Sequence, residues 1–552
     1  MQDYGDIQKL KALYLDQEKL RIFTLNPDIK HLDKGYKKAI PKLIRALQII
    51  DIIFLMQDHP QSLQLKNNLL KDSKENKDLN SALEIFNIFN GPEGITLDNE
   101  YVQLFPNIIP RPKGGTLYDY SLTSEEIEEY LKKNKEHAEE FRKINTLIKK
   151  EGNKLITIPY EKEYAKYLNE ISKLLKEASE DVPDKKFSKY LKSRAEALVN
   201  GDYYNSDIDW VNSTDSPIDL IIGPLEPYGD NIMSKKSFYG GLLCIRNLEE
   251  SKRVSEYINH LNELENNLPQ DKKHSKDMNK ISIPVAVVDV IFMTGDYQAK
   301  RLGVVVGQTL PNDEKIIKDF GRKIFIYKNI LEGFETNQEA RDRLIDSSLH
   351  KYINKRAKVN EVVGHEVSHS LGPKITVKKD VNNKYLSVDT ALGSSQNIIE
   401  ELKADLLSIY NIDYLVHKNL YNEEEKIEVY VEDALMSNLP DNKPDIDKDV
   451  YPAMRLMKFN YFLKNKGLIL KEGKFSINID KVKILTKEII KDLLDIQVNG
   501  DKTKAEEYIK KWAYWGEEAD YVCKALKECK LKIYKIVRQP LAEKIISQYN
   551  PL

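Results

Sequence analysis

The spacing of apolar residues changes character twice along this 552-residue chain. Before residue 200, apolar positions recur at intervals of three and four, the period of an amphipathic helix. KKAIPKLIRALQIIDIIFLM, LNSALEIFNIFN, SEEIEEYLKKNKEHAEEFRKINTLIKKE and Ala165–Leu198 all read as helical, and Thr123-Ser-Glu-Glu is a helix start. KDSKENKDLN (71–80) and FPNIIPRPKGG (105–115) read as loops. Past residue 200 the pattern shortens to β-branched runs bounded by Gly, Pro, Asn and Asp: 218–230, 240–247, 283–296, 301–311 and 322–330. These predict strands of one sheet. A helical stretch followed by a charged loop, 247–280, leaves that sheet and returns to it. From Leu331 to about Gly516 the pattern is almost wholly helical. The expected fold class is α+β in two lobes, one largely helical and one containing a β-sheet or barrel, with a wide cleft between them, where ligand sites tend to lie.

Composition adds mainly exclusions. A 41% hydrophobic chain of this length can bury more than one core. Lys and Arg number 85 against 87 Asp and Glu, a formal net charge of -2, which predicts neither a nucleic-acid nor a membrane-surface partner. Cys244, Cys523 and Cys529 form no disulfide framework and have no metal-ligand spacing. The most apolar run, Leu43–Met56, is broken by Arg45, Gln48 and Asp51 and is too short to span a bilayer. The N-terminal residues show no apolar signal core. These features predict a cytoplasmic protein; its oligomeric state stays open.

The candidate chemistry lies in Glu361–Gly372, EVVGHEVSHSLG. Its core, His365-Glu366-Val367-Ser368-His369, is an H-E-x-x-H motif on a predicted helix that stops near Gly372 and Pro373. Residues four apart share a helix face, so both imidazoles can reach one metal ion while Glu366 stands beside any water the ion activates. A catalytic zinc takes three protein donors and keeps one position open. The third donor is expected on the next strongly helical segment, Ser394–Asp405, SSQNIIEELKAD, with Ser394 or Ser395 as its N-cap. Glu401 can supply a carboxylate ligand. Asp405, one turn on, can orient a histidine through its second ring nitrogen, and Glu400 is a second candidate for that supporting role. This set predicts a zinc metallopeptidase with one Zn(2+) per chain.

HEVSH followed by EELKAD resembles the dipeptidyl peptidase III family, whose signature is H-E-x-x-G-H with a later E-E-x-x-A-E/D; this chain carries the five-residue form without the inserted Gly. The resemblance implies His365, His369 and Glu401 as ligands, Glu366 as general base, and Glu400 and Asp405 as supports. It also implies the two-lobed plan with repeated crossings. Residues 1–247 and 283–330 would form the β-containing lobe and 331–520 the helical zinc-bearing lobe. Residues 248–282 would be an excursion to the zinc lobe, and 521–552 a C-terminal return. Gly223–Tyr228 resembles the family's G-x-x-E-x-Y segment, which implies that Glu226 meets a peptide's free N-terminus and that Tyr228 donates near the scissile carbonyl. Gly307–Asn312 resembles G-x-N-x-P-N, a strand that holds the peptide backbone; Asn312 matches and Thr309 replaces an Asn. Where family members carry a histidine thought to support the transition state, this sequence has Tyr451, with Arg455 one turn on for substrate. Tyr451 is equally readable as the start of a helix with Pro452 in its first turn.

The expected function is a zinc exopeptidase releasing dipeptides from the free N-terminus of short peptides. An alternative is a zinc-bearing peptide-binding protein of the same fold with weak or no catalysis. The intact Glu366 favours the enzyme; the missing histidine is the point for the alternative. Glu226 as an anchor for a free amine argues against an endopeptidase with the same zinc site.

Overall fold

The computed structural model describes residues 3–16, 20–95, 101–227, 229–278, 284–298, 305–334, 337–446, 449–529 and 534–549. Helices and short strands alternate along the whole chain, a mixed α+β architecture. The chain splits into two compact units. One comprises Met1–Leu248, Ala286–Gly333 and Lys532–Leu552, the other Glu249–Val285 and Phe334–Leu531.

The first unit holds the predicted sheet. Its five strands run in the order Ile218–Glu226, Phe238–Arg246, Val285–Gly295, Lys323–Tyr327, Gly307–Leu310. Ile218 faces Ile245 and Gly223 faces Gly240 across the first antiparallel pair, while Leu242 faces Met293 across the second. These strands read as near-continuous apolar runs because both faces are covered; Phe238–Ile245 is buried throughout. The long Lys34–Asp58 helix packs on that strand and on the Ala165–Asp181 helix. It comes close because position 241 has no side chain: a Cβ on Gly241 would lie 2.3 Å from Leu47 Cδ2 and 2.8 Å from the Ile221 carbonyl oxygen. Leu20–Thr24 pairs in parallel with Tyr534–Arg538, which fastens the C-terminal segment to this unit.

Three expectations change. The helical reading of 124–151 fails after Arg142: Thr146–Glu151 is a strand paired with Lys154–Pro159. Thr146, Ile148, Ile156 and Ile158 are β-branched, and Gly152 takes φ 61° at the turn, a conformation that ends a helix. The charged stretch 71–80 is largely helical, since Ser62–Glu75 continues through it and Leu79–Phe89 begins before it ends. The region from Leu331 also contains two small hairpins, Ile375–Lys379 with Tyr385–Ser387 and Leu468–Lys471 with Lys474–Ile477.

The second unit is otherwise helical. Lys355–Ser368, the motif helix, packs against Ser395–His417, the acidic helix, and both contact Glu423–Ala434; Val450–Lys464 packs on the acidic helix. Asn354 caps the motif helix by accepting from the Ala357 N–H, and its amide donates to buried Glu428. Arg356 forks onto the same carboxylate at 2.9 and 2.6 Å. Gly364 sets the approach of the two long helices: a Cβ there would meet Ser408 Oγ at 2.3 Å and its Cβ at 2.9 Å. Among the described residues, no helix is long and apolar enough to cross a membrane. The three cysteines are buried and unpaired.

Candidate metal centre

The motif helix ends at Ser368, and His369 follows as its C-cap, still in the right-handed helical region with its N–H on the His365 carbonyl. The i, i+4 relation therefore survives past the last helical residue. His365 Nε2 and His369 Nε2 lie 3.0 Å apart, and Glu401 Oε2, from the acidic helix, lies 3.2 and 3.7 Å from them. Donor atoms of a tetrahedral zinc at ~2.1 Å stand about 3.4 Å from one another. The observed spacing fits, and all three donors lie within 4.8 Å of one another. Glu401 Oε2 is buried with no hydrogen-bond partner, an orphan that a cation would satisfy. The C-terminal end of the motif helix, with its exposed carbonyl dipoles, also favours positive charge here.

Each imidazole is held from behind by a carboxylate on Nδ1, which leaves Nε2 for a metal. His365 Nδ1 is 2.5 Å from Asp405 Oδ1, and His369 Nδ1 is 3.4 Å from Glu400 Oε1. Glu400 sits about 100° round the helix from Glu401, yet it reaches the second histidine. Burial opposes ionisation of Glu400 and Asp405, but cationic neighbours outweigh it and hold both well below the usual carboxylate range: Lys403 and Lys374 for the first, Lys458 and His365 for the second. Lys403, in the acidic segment itself, grips both Glu400 oxygens at 2.9 Å and donates to the Leu371 carbonyl. Gln497 adds a bond to Glu400 at 2.9 Å.

Glu366 is half-buried in the last turn and makes no hydrogen bond or ion pair with a described residue; its charge is felt by His365 and Tyr451. Tyr451 lies in the first turn of Val450–Lys464, 50% exposed, near enough to the Glu401 carboxylate to feel its charge. The buried part of the ring, together with the Glu401, Glu366 and Asp405 carboxylates, pushes its pKa far up, so it stays a hydrogen-bond donor. Arg455, one turn on, is exposed and makes no hydrogen bond or ion pair with a described residue.

The remaining sequence candidates belong to the first unit. Glu226 ends its strand and accepts a hydrogen bond from the amide of Gln308 at 3.1 Å, with Asn312 near enough to lower its pKa. Burial nevertheless leaves its pKa raised. Gln308 is fixed in turn by the Tyr297 and Tyr327 hydroxyls, at 2.6 and 3.2 Å. Thr309 pairs with Ile324 across the edge strand. Tyr228 lies outside the described residues. Lys403, Lys458, Gln497 and Gln308 were not singled out from sequence. A lysine set among Met454, Met457 and Phe459 on a buried helix face was the one readable signal, since lysine is almost never fully buried unless paired.

A mixed α+β fold with two imidazoles and a carboxylate converging at a helix end is the arrangement of a metallopeptidase. The profile of peptidase family M49 matches residues 113–403, and the chain belongs to that family, the dipeptidyl peptidase III metallopeptidases. It superposes on dipeptidyl peptidase III from Caldithrix abyssi with a TM-score of 0.86 at 27% identity, covering 96% of this chain and 99% of that one. For dipeptidyl-peptidase III from Corallococcus sp. strain EGB the TM-score is 0.77 at 25% identity, with 99% of each chain covered. A protein of Arabidopsis thaliana named Nudix hydrolase 3 is 24% identical over 578 residues, spanning 95% of this chain and 73% of that protein.

Proposed function

We propose that this peptidase is a zinc-dependent exopeptidase that releases dipeptides from the free N-terminus of short peptides. The observation that carries the metal assignment is the convergence of His365 Nε2, His369 Nε2 and the otherwise unpartnered Glu401 Oε2. These three would hold one zinc. Zinc there would supply Lewis acidity for a carbonyl oxygen and would lower the pKa of water to about 7. Glu366, its carboxylate unengaged, takes a proton from the attacking water and returns it to the leaving amine. The Tyr451 hydroxyl, with that of Tyr228, donates to the oxygen that gains charge as the carbonyl becomes tetrahedral. Asp405 and Glu400 keep both imidazoles turned with Nε2 free. Glu226, held by Gln308, pairs with the substrate's α-ammonium group, while Asn312, Thr309 and Arg455 engage the peptide. Three unpaired cysteines and balanced charge accord with a cytoplasmic setting.

Digestion of a short peptide, followed by mass spectrometry, tests this reading. Dipeptides should leave successively from the free end, and N-terminal acetylation should nearly abolish cleavage, because a charge-assisted contact of ~1.5–3 kcal/mol is lost. Equal cleavage of blocked and free peptides would assign an endopeptidase instead.

A further inference from the structure

Behind His365 the chain of contacts does not stop at Asp405. Lys458, from Val450–Lys464, is wholly buried, and its ammonium lies 2.7 Å from Asp405 Oδ2, 2.5 Å from Asp433 Oδ1 and 3.1 Å from the Asp433 carbonyl oxygen. All three of its donors are thus engaged. Glu361, Asp405 and Asp433 bring carboxylate oxygens within 4.8 Å of one another, a buried acidic cluster in which this ammonium is already the cation. Asp433 is itself fully buried and held at the Glu423–Ala434 helix end, where Asn438 donates to its carbonyl. A line of bonds therefore runs across four helices, from Asp433 through Lys458 and Asp405 to His365.

We propose that Lys458 is a positioning residue of the metal centre: by clamping Asp405 Oδ2 it turns Oδ1 onto His365 Nδ1, which keeps Nε2 presented to the metal. The inference rests on His365 being a ligand, as argued above. An Asp405 carboxylate without this clamp is a buried charge free to rotate or to recruit another donor, and either weakens its hold on the ring. Lys458 touches none of the three metal donors, so its effect passes entirely through Asp405.

That dependence gives a discriminating experiment. Zinc affinity of the full chain is measured by competition with a chromophoric chelator for the parent, Lys458→Met, Asp405→Asn and the double variant. Removing groups that orient metal ligands typically lowers affinity 10–100-fold, and Lys458→Met should lower it by about tenfold or more. In the Asp405→Asn background the same change should shift affinity by no more than about twofold. Lys458→Gln, whose amide can still donate to Asp405, should recover part of the loss, and it carries the cycle if the Met variant does not fold. A Lys458 variant binding zinc as tightly as the parent, or an equal loss in both backgrounds, would overturn the inference. A parent chain that binds no zinc would overturn the ligand assignment and the inference together.

Discussion

At the scale of single residues, the candidate site separates groups that hold a metal from groups that move a proton. Glu366 and Glu401 are both half-buried glutamates near His365, but only Glu401 points an unpartnered oxygen at both imidazoles. Glu366→Gln should lower kcat by ~10²–10⁴ with zinc content near one per chain, whereas Glu401→Ala should lose metal as well. Metal analysis of the two purified variants checks the division, and a zinc-free Glu366→Gln protein would refute it. Tyr451 presents a second choice between roles. It lies in the first turn of a helix with Pro452, and its hydroxyl also feels the Glu401 and Glu366 charges. If that hydroxyl supports the transition state, Tyr451→Phe should reduce kcat by ~10²–10³ with little change in KM. An unchanged kcat would leave it a helix-start residue. The sequence already made the first choice, since H-E-x-x-H spacing puts both imidazoles on one helix face with Glu366 beside them, but it left Tyr451 open between its two roles.

At the scale of elements, the site depends on how closely the motif and acidic helices approach. His365 sits on one and Glu401 on the other, and the residue before His365 is Gly364, packed against Ser408. A Cβ at 364 would overlap the Ser408 side chain, so Gly364→Val must push the helices apart or distort one of them. Overpacking of this kind costs about 1–3 kcal/mol; thermal denaturation should show a lower Tm, and chelator competition a weaker zinc site. Ser408→Gly should restore part of both losses in Gly364→Ala, which adds only the Cβ. A Gly364→Val chain with parental Tm and affinity would show that the contact is slack. Sequence periodicity predicted both helices, since their apolar positions recur at helical spacing. It misread 124–151 for the same reason in reverse: mixed charged and β-branched residues satisfy a helical period until the turn at Gly152 supplies a partner strand.

At the scale of the whole molecule, stability should carry a mark of buried amines as well as of the metal. Lys236 is fully buried, and burial lowers its pKa to about 7 despite the nearby Asp230 and Glu140 charges. Its amine donates to the Lys143 carbonyl at 2.7 Å and to Thr146 Oγ1 at 2.5 Å, bonds that a neutral amine also makes. The folded pKa is below the unfolded value of ~10.4, so between about pH 7 and ~10.4 the unfolded chain binds more protons. Stability from this group therefore rises with pH across that window, by at most ~1.4 kcal/mol per unit. Urea midpoints at pH 7.5 and 9.5 should favour the parent over Lys236→Met by a margin that widens at the higher pH. A constant margin would mean the amine is ionised in the fold.

The fold class and family were legible without coordinates, because two local signals survive in one dimension. Apolar periodicity distinguished the β-branched runs of 218–330 from the helical stretches around them, and two short motifs, HEVSH and EELKAD, bore the family resemblance that the M49 match shares. The same spacings nominated His365, His369, Glu401 and Asp405. What the tertiary structure alone decided is how far apart these groups stand and what holds them. Gly364 admits the acidic helix, Glu400 reaches His369 from an unexpected face, and Lys458, more than fifty residues from Asp405, closes on its carboxylate. Spacing along one helix is a local property set by 3.6 residues per turn. The approach of one helix to another, and the pairing of charges buried between them, depends on side chains remote in sequence, and no periodic pattern encodes it.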